Sequence, residues 1–337
     1  MNLAATRRAY VGWPKKLRSY KRKYTGSKKM AANEPVLLIA FNRPDHLIKV
    51  IDRLREVKPS FIYFAVDGAR TSRPDEAAKV AACRALVAAF DWPCEVKTLF
   101  HDTNLGCGLG VSTAITWFFE NVERGIILED DIVPDPSFFP FCSELLERYQ
   151  DDERVQAISG CNFVPPSAQS YPEQAYRFSQ VPHIWGWATW RRSWAVYQLD
   201  IAGWRRQLPA LQLWKRAGHS LPASAYWAST FELLARKEVD TWDGQFVFSA
   251  MVSGQLTATS NVNLIENIGF GSSATHTVED RNELQPIQAL QLPTAVVPVL
   301  LDARADAWTR KNHFRATWRG MLEQADRYRK QRQGRSK

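Results

Sequence analysis

The chain has 337 residues, of which 45% are hydrophobic and 23% are charged, values typical of globular proteins rather than of disordered ones. No apolar run approaches the roughly 18 residues that a membrane-spanning helix needs. The net charge is +9, but residues 1–30 hold ten Lys and Arg and no acid, and the remaining 34 basic and 35 acidic residues balance. The basic character therefore belongs to the tail, and the total charge does not indicate a nucleic-acid-binding body.

Residues 1–32 are predicted to form a basic N-terminal tail. Tyrosines and a tryptophan alternate with the cations, so the tail would either lie on an anionic membrane surface or remain a solvated arm. The chain opens with no signal-peptide pattern, and its five cysteines include no CxxC pair, a usage that fits a reducing compartment. We therefore expect a cytoplasmic protein, with peripheral contact at the inner face of the membrane as one option for the tail.

From residue 35 the pattern alternates between strands and helices. Apolar runs at residues 36–41, 61–66 and 125–128 predict strands, and residues 95–100 are predicted to form a further strand. A helical pattern with Leu47, Val50, Ile51 and Leu54 on one face follows the first strand, and residues 77–90, 112–122 and 136–149 are also helical in pattern. Continuous apolar strands alternating with helices predict an α/β fold whose mostly parallel sheet is covered on both faces. Ligands of such sheets bind at the carboxyl ends of the strands.

The carboxyl end of the fourth strand carries three consecutive acids, Glu129, Asp130 and Asp131. Three carboxylates at one point repel each other, so a cation is expected to offset their charge. Mn²⁺ or Mg²⁺ would suit, since both prefer carboxylate oxygens and leave positions for phosphate oxygens. The alternative is an acidic turn that caps the following helix.

Two other predicted strands also end in polar residues. Asp67, followed by Gly68, could accept hydrogen bonds from a nucleobase or a ribose, or could be a simple turn aspartate. Arg43 follows the first strand and could pair with a diphosphate, as arginine forks do. A glycine-rich run at residues 106–110 precedes a predicted helix without the Walker lysine, so it fits neither common phosphate loop but could bring backbone close to a ligand.

Further candidates lie after residue 180. Asp243 precedes a helical pattern and could act as a lone base or as a helix cap. His276 could bind a metal or a phosphate, or could be an ordinary loop histidine. Trp185 and Trp187 belong to a group of four tryptophans within twelve residues, whose flat faces suit either sugar rings or core packing.

Six stretches in the same order resemble a known family: VLLIAFNRP (36–44), FIYFAVDG (61–68), IILEDDIVPDPSFFPF (126–141), HIWGWATW (183–190), TWDGQF (241–246) and NIGFGSSATHT (267–277). The family is that of the GT-A-fold nucleotide-sugar glycosyltransferases, in particular the N-acetylglucosaminyltransferase-I-like branch and its bacterial relatives, often labelled hemolytic-protein-like. The resemblance implies a GT-A domain over residues 33–280. Residues 281–337 have no counterpart in the family, and their sequence predicts a helical, charged C-terminal extension.

The resemblance also implies roles for single residues. On the donor side, Arg43 would contact the diphosphate, Asp67 the nucleobase, and Glu129 and Asp130 the ribose and sugar. Asp131 would hold the metal ion. Asp243 would be the base that deprotonates the acceptor hydroxyl, and His276 would lie on the loop that closes over the donor. Apart from the resemblance, the flat apolar rings of Trp185, Trp187 and Trp242 are candidates for stacking on the acceptor or the sugar.

The function that follows is metal-dependent, inverting transfer of a sugar from a nucleoside-diphosphate donor, with UDP-sugars favoured. The acceptor would be a hydroxyl of a saccharide or lipid-linked molecule in bacterial surface polysaccharide or glycolipid assembly. Two alternatives remain open from sequence. One is a sugar-1-phosphate nucleotidyltransferase, although the first strand lacks the glycine-rich loop such enzymes need. The other is a non-catalytic protein with a degenerate body that binds membrane or nucleic acid through its basic tail.

Overall fold

The structure is a computed structural model that describes residues 34–270, 284–292 and 294–323. The strands are β1 Val36–Ala40, β2 Phe61–Val66, β3 Glu95–Phe100, β4 Arg124–Glu129, β5 Ile132–Pro134, β6 Val155–Ser159, β7 Tyr176–Ser179, β8 Trp187–Trp190, β9 Leu256–Ser260 and β10 Ile265–Asn267. The helices are α1 Pro44–Val57, α2 Glu76–Ala85, α3 Gly106–Asn121, α4 Phe138–Arg148, α5 Arg191–Trp194, α6 Trp204–Gln207, α7 Ala210–Arg216, α8 Leu221–Ala235, α9 Asp243–Ser253 and α10 Ala303–Trp308.

Eight strands form one sheet in the order β3-β2-β1-β4-β8-β6-β9-β7, and β5 pairs with β10 in a small second sheet. The pairs β1–β2, β2–β3, β1–β4 and β6–β9 are parallel. Strand β8 is antiparallel to both of its neighbours, β4 and β6, and the edge strand β7 is antiparallel to β9. The predicted α/β class and the mostly parallel sheet are confirmed.

Strand β1 shows why helices cover both faces of this sheet. Successive strand residues point to opposite faces, and all five residues of β1 are buried. Val36 and Leu38 join the core cluster that contains the apolar face of α1, while Leu37 packs in a separate cluster with Ile115 and Phe118 of α3. A strand buried on both sides has no polar alternation, which is why its sequence reads as a continuous apolar run.

A third apolar cluster lies in the helical part of the chain after β8. It joins residues of α6 to α9, among them Trp204, Phe231 and Phe248. The described residues contain no helix that combines the length and the hydropathy needed to cross a bilayer.

The described part of the expected C-terminal extension packs against the body of the protein. The backbone amide of Thr294 donates to Glu144 of α4 at 2.9 Å, Val297 is buried in the main core, and Leu301 forms a parallel bridge with Phe178 of β7. After α10, residues Thr309–His313 form a π-helical turn. A domain boundary near residue 280 stays a prediction, as does the tail at residues 1–32, which lies outside the described residues.

Candidate active site

A cavity of about 650 Å³ opens at the carboxyl ends of β1, β2 and β4. Because these strands are parallel neighbours, residues far apart in the sequence meet at this edge. The residues proposed from sequence that line it are Arg43, Asp67, Glu129, Asp130, Asp131, Trp185, Trp242 and Asp243. The topology thus brings most of the candidate residues to one cavity.

Arg43 lies between two acids of the triplet. Its Nη2 forms ion pairs with Asp130, which is 3% exposed, and with Asp131 at 3.0 Å. The sequence indicated that the acids need a cation, and in the structure this guanidinium offsets part of their charge. Gly269 packs directly against the Asp131 carboxylate, where a β-carbon would overlap it, so the glycine lets the segment after β10 pass close to the acids.

The acids remain short of positive charge despite Arg43. Burial raises the pKa of Glu129 well above its usual range, and the neighbouring carboxylates of Asp131, Asp130 and Asp243 raise it further. Burial also raises the pKa of Asp130, although Arg43 opposes the shift. One guanidinium therefore does not compensate these acids, and a further cation at this edge would be stabilised.

The carboxylates at this edge of the sheet provide only some of the ligands that a divalent metal ion needs. Within the described residues, no three His, Cys, Asp or Glu side chains are grouped as a metal site. Asp131 is partly exposed in the cavity and offers the hard oxygen that Mg²⁺ and Mn²⁺ prefer, and Mg²⁺ commonly takes one or two carboxylates together with substrate phosphates. The residues thus suit an ion that binds together with a phosphate-bearing ligand, rather than a site built from protein side chains alone.

Both carboxylate oxygens of Asp67 accept hydrogen bonds from neighbouring groups of the chain. Oδ1 accepts hydrogen bonds from the backbone amides of Gly68 at 2.8 Å and Leu105 at 3.0 Å, and Oδ2 accepts one from Nδ2 of Asn104 at 2.7 Å. Gly110 allows α3 to approach this carboxylate, since a β-carbon there would lie 3.3 Å from Oδ2. In the structure Asp67 fixes the loop before α3 at the wall of the cavity, and any nucleobase contact would be additional to that.

The glycine-rich run is not a loop before a helix. Helix α3 begins at Gly106, six residues earlier than predicted, because glycine at φ +82° makes the turn into it and nothing in the run breaks a helix. The amides of Cys107 and Gly108 donate to Asp240 at 2.9 and 2.8 Å. The expectation that this helix start could approach a phosphate is therefore corrected: a carboxylate of the chain itself takes these donors.

Asp243 is the first residue of α9, where a carboxylate is favoured by the helix dipole. Its Oδ1 accepts hydrogen bonds from the amide of Gly244 at 2.8 Å and from the hydroxyl of Thr241. Among the described residues no hydrogen bond reaches Oδ2. The side chain is thus held in place by one oxygen, and the other is available to accept a proton in the cavity.

The three tryptophans proposed for sugar stacking lie in different surroundings. Trp185 is partly exposed and lines the cavity. Trp242 is 2% exposed and lies at the cavity wall, with its ring stacked on Trp187 at 5.6 Å between centroids. Trp187 is 1% exposed and lies in the core against Phe246, so the expectation that it stacks on a sugar is wrong. His276 lies outside the described residues.

The structure adds cavity residues that the sequence reasoning missed: Arg70, His101, Asn104, Asp240 and Thr241. His101 directly follows β3, so the strand-end rule that found Asp67 would also have found it. Arg70 lies over the Phe41 ring at 5.3 Å and pairs with Glu76, and no sequence pattern marks it. Asp240 depends on a tertiary approach to α3 and had no local signal.

No protein-family model matches the chain, and no curated protein matches its sequence. Solved structures that it resembles include the mannosyltransferase PcManGT from Pyrobaculum calidifontis in complex with GDP-Man and Mn²⁺ (15% identity, 52% of this chain and 50% of that one, TM-score 0.32). Others are the inositol-1-phosphate CTP transferase from T. maritima (10%, 74% and 93%, 0.34) and a UDP-glucose pyrophosphorylase complexed with UDP-glucose (9%, 70% and 91%, 0.33).

The match to PcManGT spans half of that protein's length. Likenesses as partial as these assign no activity to the chain. None of the three is described as belonging to the N-acetylglucosaminyltransferase-I-like branch, so membership of that branch stays a prediction.

Proposed function

We propose that this chain is a metal-dependent glycosyltransferase that moves a sugar from a nucleoside-diphosphate donor to a hydroxyl acceptor with inversion at the anomeric carbon. The observation that carries the proposal is the composition of one cavity. The Arg43 guanidinium, paired with Asp130 and Asp131 at the strand ends, lines this cavity. Asp243 lines it from another element, and only one of its two carboxylate oxygens accepts a hydrogen bond from the described residues.

The donor diphosphate would bind at Arg43. Both ion pairs of this side chain use Nη2, and a guanidinium carries five N–H donors, so it can hold the acids and a diphosphate together. Asp131 would hold Mn²⁺ or Mg²⁺, which when bound supplies positive charge against the departing diphosphate. Glu129 and Asp130 would then face the ribose and the sugar.

Asp243 would act on the acceptor. Its hydrogen bonds from Thr241 and Gly244 fix the carboxylate, and a fixed carboxylate can remove the proton of an attacking hydroxyl. The hydroxyl attacks the face of the sugar opposite the diphosphate, which gives inversion. Trp185 is partly exposed in the same space and would contact the sugar of the donor or the acceptor, while the buried Trp242 would form part of the wall.

The wider setting of the proposal rests on the sequence resemblance. It comprises UDP-sugars as the first donors to test, an acceptor in bacterial surface polysaccharide or glycolipid assembly, a cytoplasmic location, and membrane contact through residues 1–32. No nucleic-acid partner is proposed, because the charge of the chain beyond the tail is balanced.

A thermal-shift panel of UDP, GDP, CDP and dTDP, each in Mn²⁺ and in EDTA, tests the donor site. A ligand that binds only the native state at 100 times its Kd stabilises the protein by about 2.7 kcal/mol. We expect one diphosphate to raise the Tm in Mn²⁺ and much less in EDTA. Asp131→Ala should lose the Mn²⁺-dependent part, whereas Asp151→Ala, at an exposed turn, should keep it. No shift with any diphosphate would overturn the proposal.

A further inference from the structure

A second cavity of about 350 Å³ adjoins the first. Five residues line both cavities: Ile184, Trp185, Val239, Thr241 and Asp243. The carboxylate proposed as the base therefore belongs to both spaces. A molecule in the second cavity would meet Asp243 in a space that neither Arg43 nor the acids of the triplet line.

The walls of the second cavity are mainly aromatic. They are formed by Phe163, Trp185, Tyr226, Trp227 and Phe314, together with aliphatic side chains of α8 and α9. Phe314 packs against Trp227 with 5.2 Å between ring centroids. It follows the π-helical turn after α10, whose i to i+5 hydrogen bond runs from the amide of Phe314 to the carbonyl of Thr309 at 3.1 Å.

Charge is sparse in this cavity compared with the first. Of the described residues that line it, none is Lys or Arg, and Asp243 is the one carboxylate. Burial lowers the pKa of His183 well below its usual range, so this imidazole is neutral at pH 7. The second histidine of the lining, His313, stacks on the Phe163 ring with 3.9 Å between centroids. A phosphate or carboxylate entering here would lose its hydration and meet no Lys or Arg side chain of the described lining, and it would approach the Asp243 carboxylate, whereas an uncharged molecule would not pay this desolvation penalty.

Two buried nitrogen atoms at this cavity lack a hydrogen-bond partner within the described part of the chain. They are Nε2 of His183 and Nε1 of Trp227. Their residues, 6% and 2% exposed, line the cavity, while the two atoms themselves lie below its accessible surface. Buried polar atoms in proteins are nearly always hydrogen-bonded. Flat aromatic faces with a few polar groups among them suit a sugar ring, which has apolar faces and hydroxyl groups at its edge.

We propose that the second cavity holds an uncharged sugar ring of the acceptor, with its reacting hydroxyl toward Asp243, and that Phe314 of the C-terminal segment forms part of its wall. This rests on the proposed function. The acceptor O–H bond breaks and its proton goes to Asp243. The oxygen forms a bond to the anomeric carbon of the donor sugar, and the bond from that carbon to the diphosphate breaks, its electron pair leaving with the diphosphate. A lipid-linked acceptor would present a neutral sugar, not its phosphate, to the base.

The test uses the full chain with Mn²⁺ and the best-binding nucleoside diphosphate. The probes are the methyl glycosides of glucose, galactose, mannose and N-acetylglucosamine. For each hexose, two charged counterparts are compared: the 6-phosphate of the methyl glycoside, and the methyl glycoside of the corresponding uronic acid. Binding is measured by saturation-transfer NMR and titration. We expect at least one methyl glycoside to bind, and its charged counterparts to bind at least tenfold more weakly.

The variants separate this cavity from the donor site. Phe314→Ala should weaken methyl glycoside binding at least fivefold and leave nucleoside-diphosphate binding unchanged. Trp227→Phe, which keeps a ring and removes the indole N–H, is the second variant in case Phe314→Ala does not fold. The matched control is Trp318→Ala in the same segment, which is 58% exposed and should change neither affinity.

The outcomes distinguish this inference from the proposed function. Equal or tighter binding of the charged sugars, no binding of any methyl glycoside, or unchanged binding in both Phe314→Ala and Trp227→Phe would overturn the neutral acceptor cavity. Methyl glycoside binding that responds to these variants, in a protein that binds no nucleoside diphosphate, would support the sugar cavity and overturn the transferase.

Discussion

Among single residues, Asp243 offers the most direct test of the proposed chemistry. One carboxylate oxygen is fixed by Thr241 and Gly244 and the other has no hydrogen bond in the described structure. Asp243→Asn keeps the size and can still accept these hydrogen bonds, but it cannot take a proton. We expect transfer to fall by about 10²- to 10⁴-fold with donor affinity unchanged, as measured by steady-state kinetics and nucleotide titration.

The control for this variant is Asp200→Asn, a surface aspartate whose side chain is 61% exposed, which should keep full activity. If Asp243→Asn loses nucleotide binding, the residue is a donor contact rather than a base. If it transfers sugar at the normal rate, another group removes the proton.

The pairing of Arg43 with two acids gives a prediction about stability and metal. Arg43→Ala leaves Asp130 and Asp131 without their cation, and breaking a buried pair in this way commonly costs about 3 to 5 kcal/mol. Because the acids then hold uncompensated charge, Mn²⁺ should raise the Tm of the variant more than that of the unaltered protein. The measurement is urea and thermal unfolding with Mn²⁺ and with EDTA.

Arg55→Ala is the matched control, since its ion pairs with Asp52 and Asp91 are largely exposed and such pairs are worth at most about 1 kcal/mol. Equal responses of the two variants to Mn²⁺ would argue against a cation site at the acids.

Many residues of the site could be predicted from the sequence because the carboxyl ends of neighbouring parallel strands lie at one edge of the sheet. Arg43, Asp67 and the acidic triplet each follow an apolar run, and parallel strands bring such positions together. Asp240 could not be predicted, because its role depends on where the segment after α8 meets α3. Trp187 was wrongly expected to face a sugar, because a tryptophan in an aromatic cluster looks the same in sequence whether its ring is in the core or at a surface.

At the scale of elements, helix α10 is tied to the body by Asp302. This residue caps the helix through the amides of Arg304 and Ala305, and it also accepts a hydrogen bond from the Ser170 hydroxyl at 2.6 Å. Burial alone would raise the pKa of Asp302, but hydrogen bonds from Ser170 and Ala305 and the nearby Arg177 hold it below its usual value. The ionised form is therefore stabilised in the folded protein.

Asp302→Ala should lower the free energy of unfolding at pH 7 by about 0.5 to 2 kcal/mol, the usual worth of a helix cap. Since the folded pKa lies below the unfolded one, this stabilisation is present above pH 4 and is lost as the pH falls through the folded pKa. The difference between the variant and the unaltered protein should therefore shrink in acid, which denaturant unfolding at pH 7 and below pH 4 measures. A difference that stays constant would contradict the role given to the carboxylate.

The elements themselves were predicted where the pattern was continuous. The run at residues 61–66 is a strand with the predicted bounds and is buried from Ile62 onward, and such an apolar run leaves little ambiguity. The strand at residues 95–100 also has the predicted bounds, although it lies at the edge of the sheet and none of its residues is buried. The start of α3 was missed because glycines are poor helix formers but do not prevent a helix. The amides of Cys107 and Gly108 in this first turn donate to Asp240, a partner that lies far away in the sequence.

For the molecule as a whole, the first described residue that lines either cavity is Ile39. A chain that lacks residues 1–32 should therefore keep its nucleoside-diphosphate affinity and its transfer rate to soluble acceptors within about twofold. If instead all measurable function is lost with residues 1–32 while the protein stays folded by circular dichroism, the tail-driven binding protein becomes the better description.

Sugar transfer itself is followed by ³¹P NMR of the full chain with UDP-glucose, UDP-N-acetylglucosamine and GDP-mannose in Mn²⁺, with and without methyl glycosides. We expect the unaltered protein to convert one donor to its nucleoside diphosphate, and to do so faster when an acceptor is present. Asp243→Asn should not convert it. Donors that all stay intact, or that yield sugar 1-phosphate and nucleoside triphosphate only when pyrophosphate is added, would contradict it, the second result in favour of a nucleotidyltransferase.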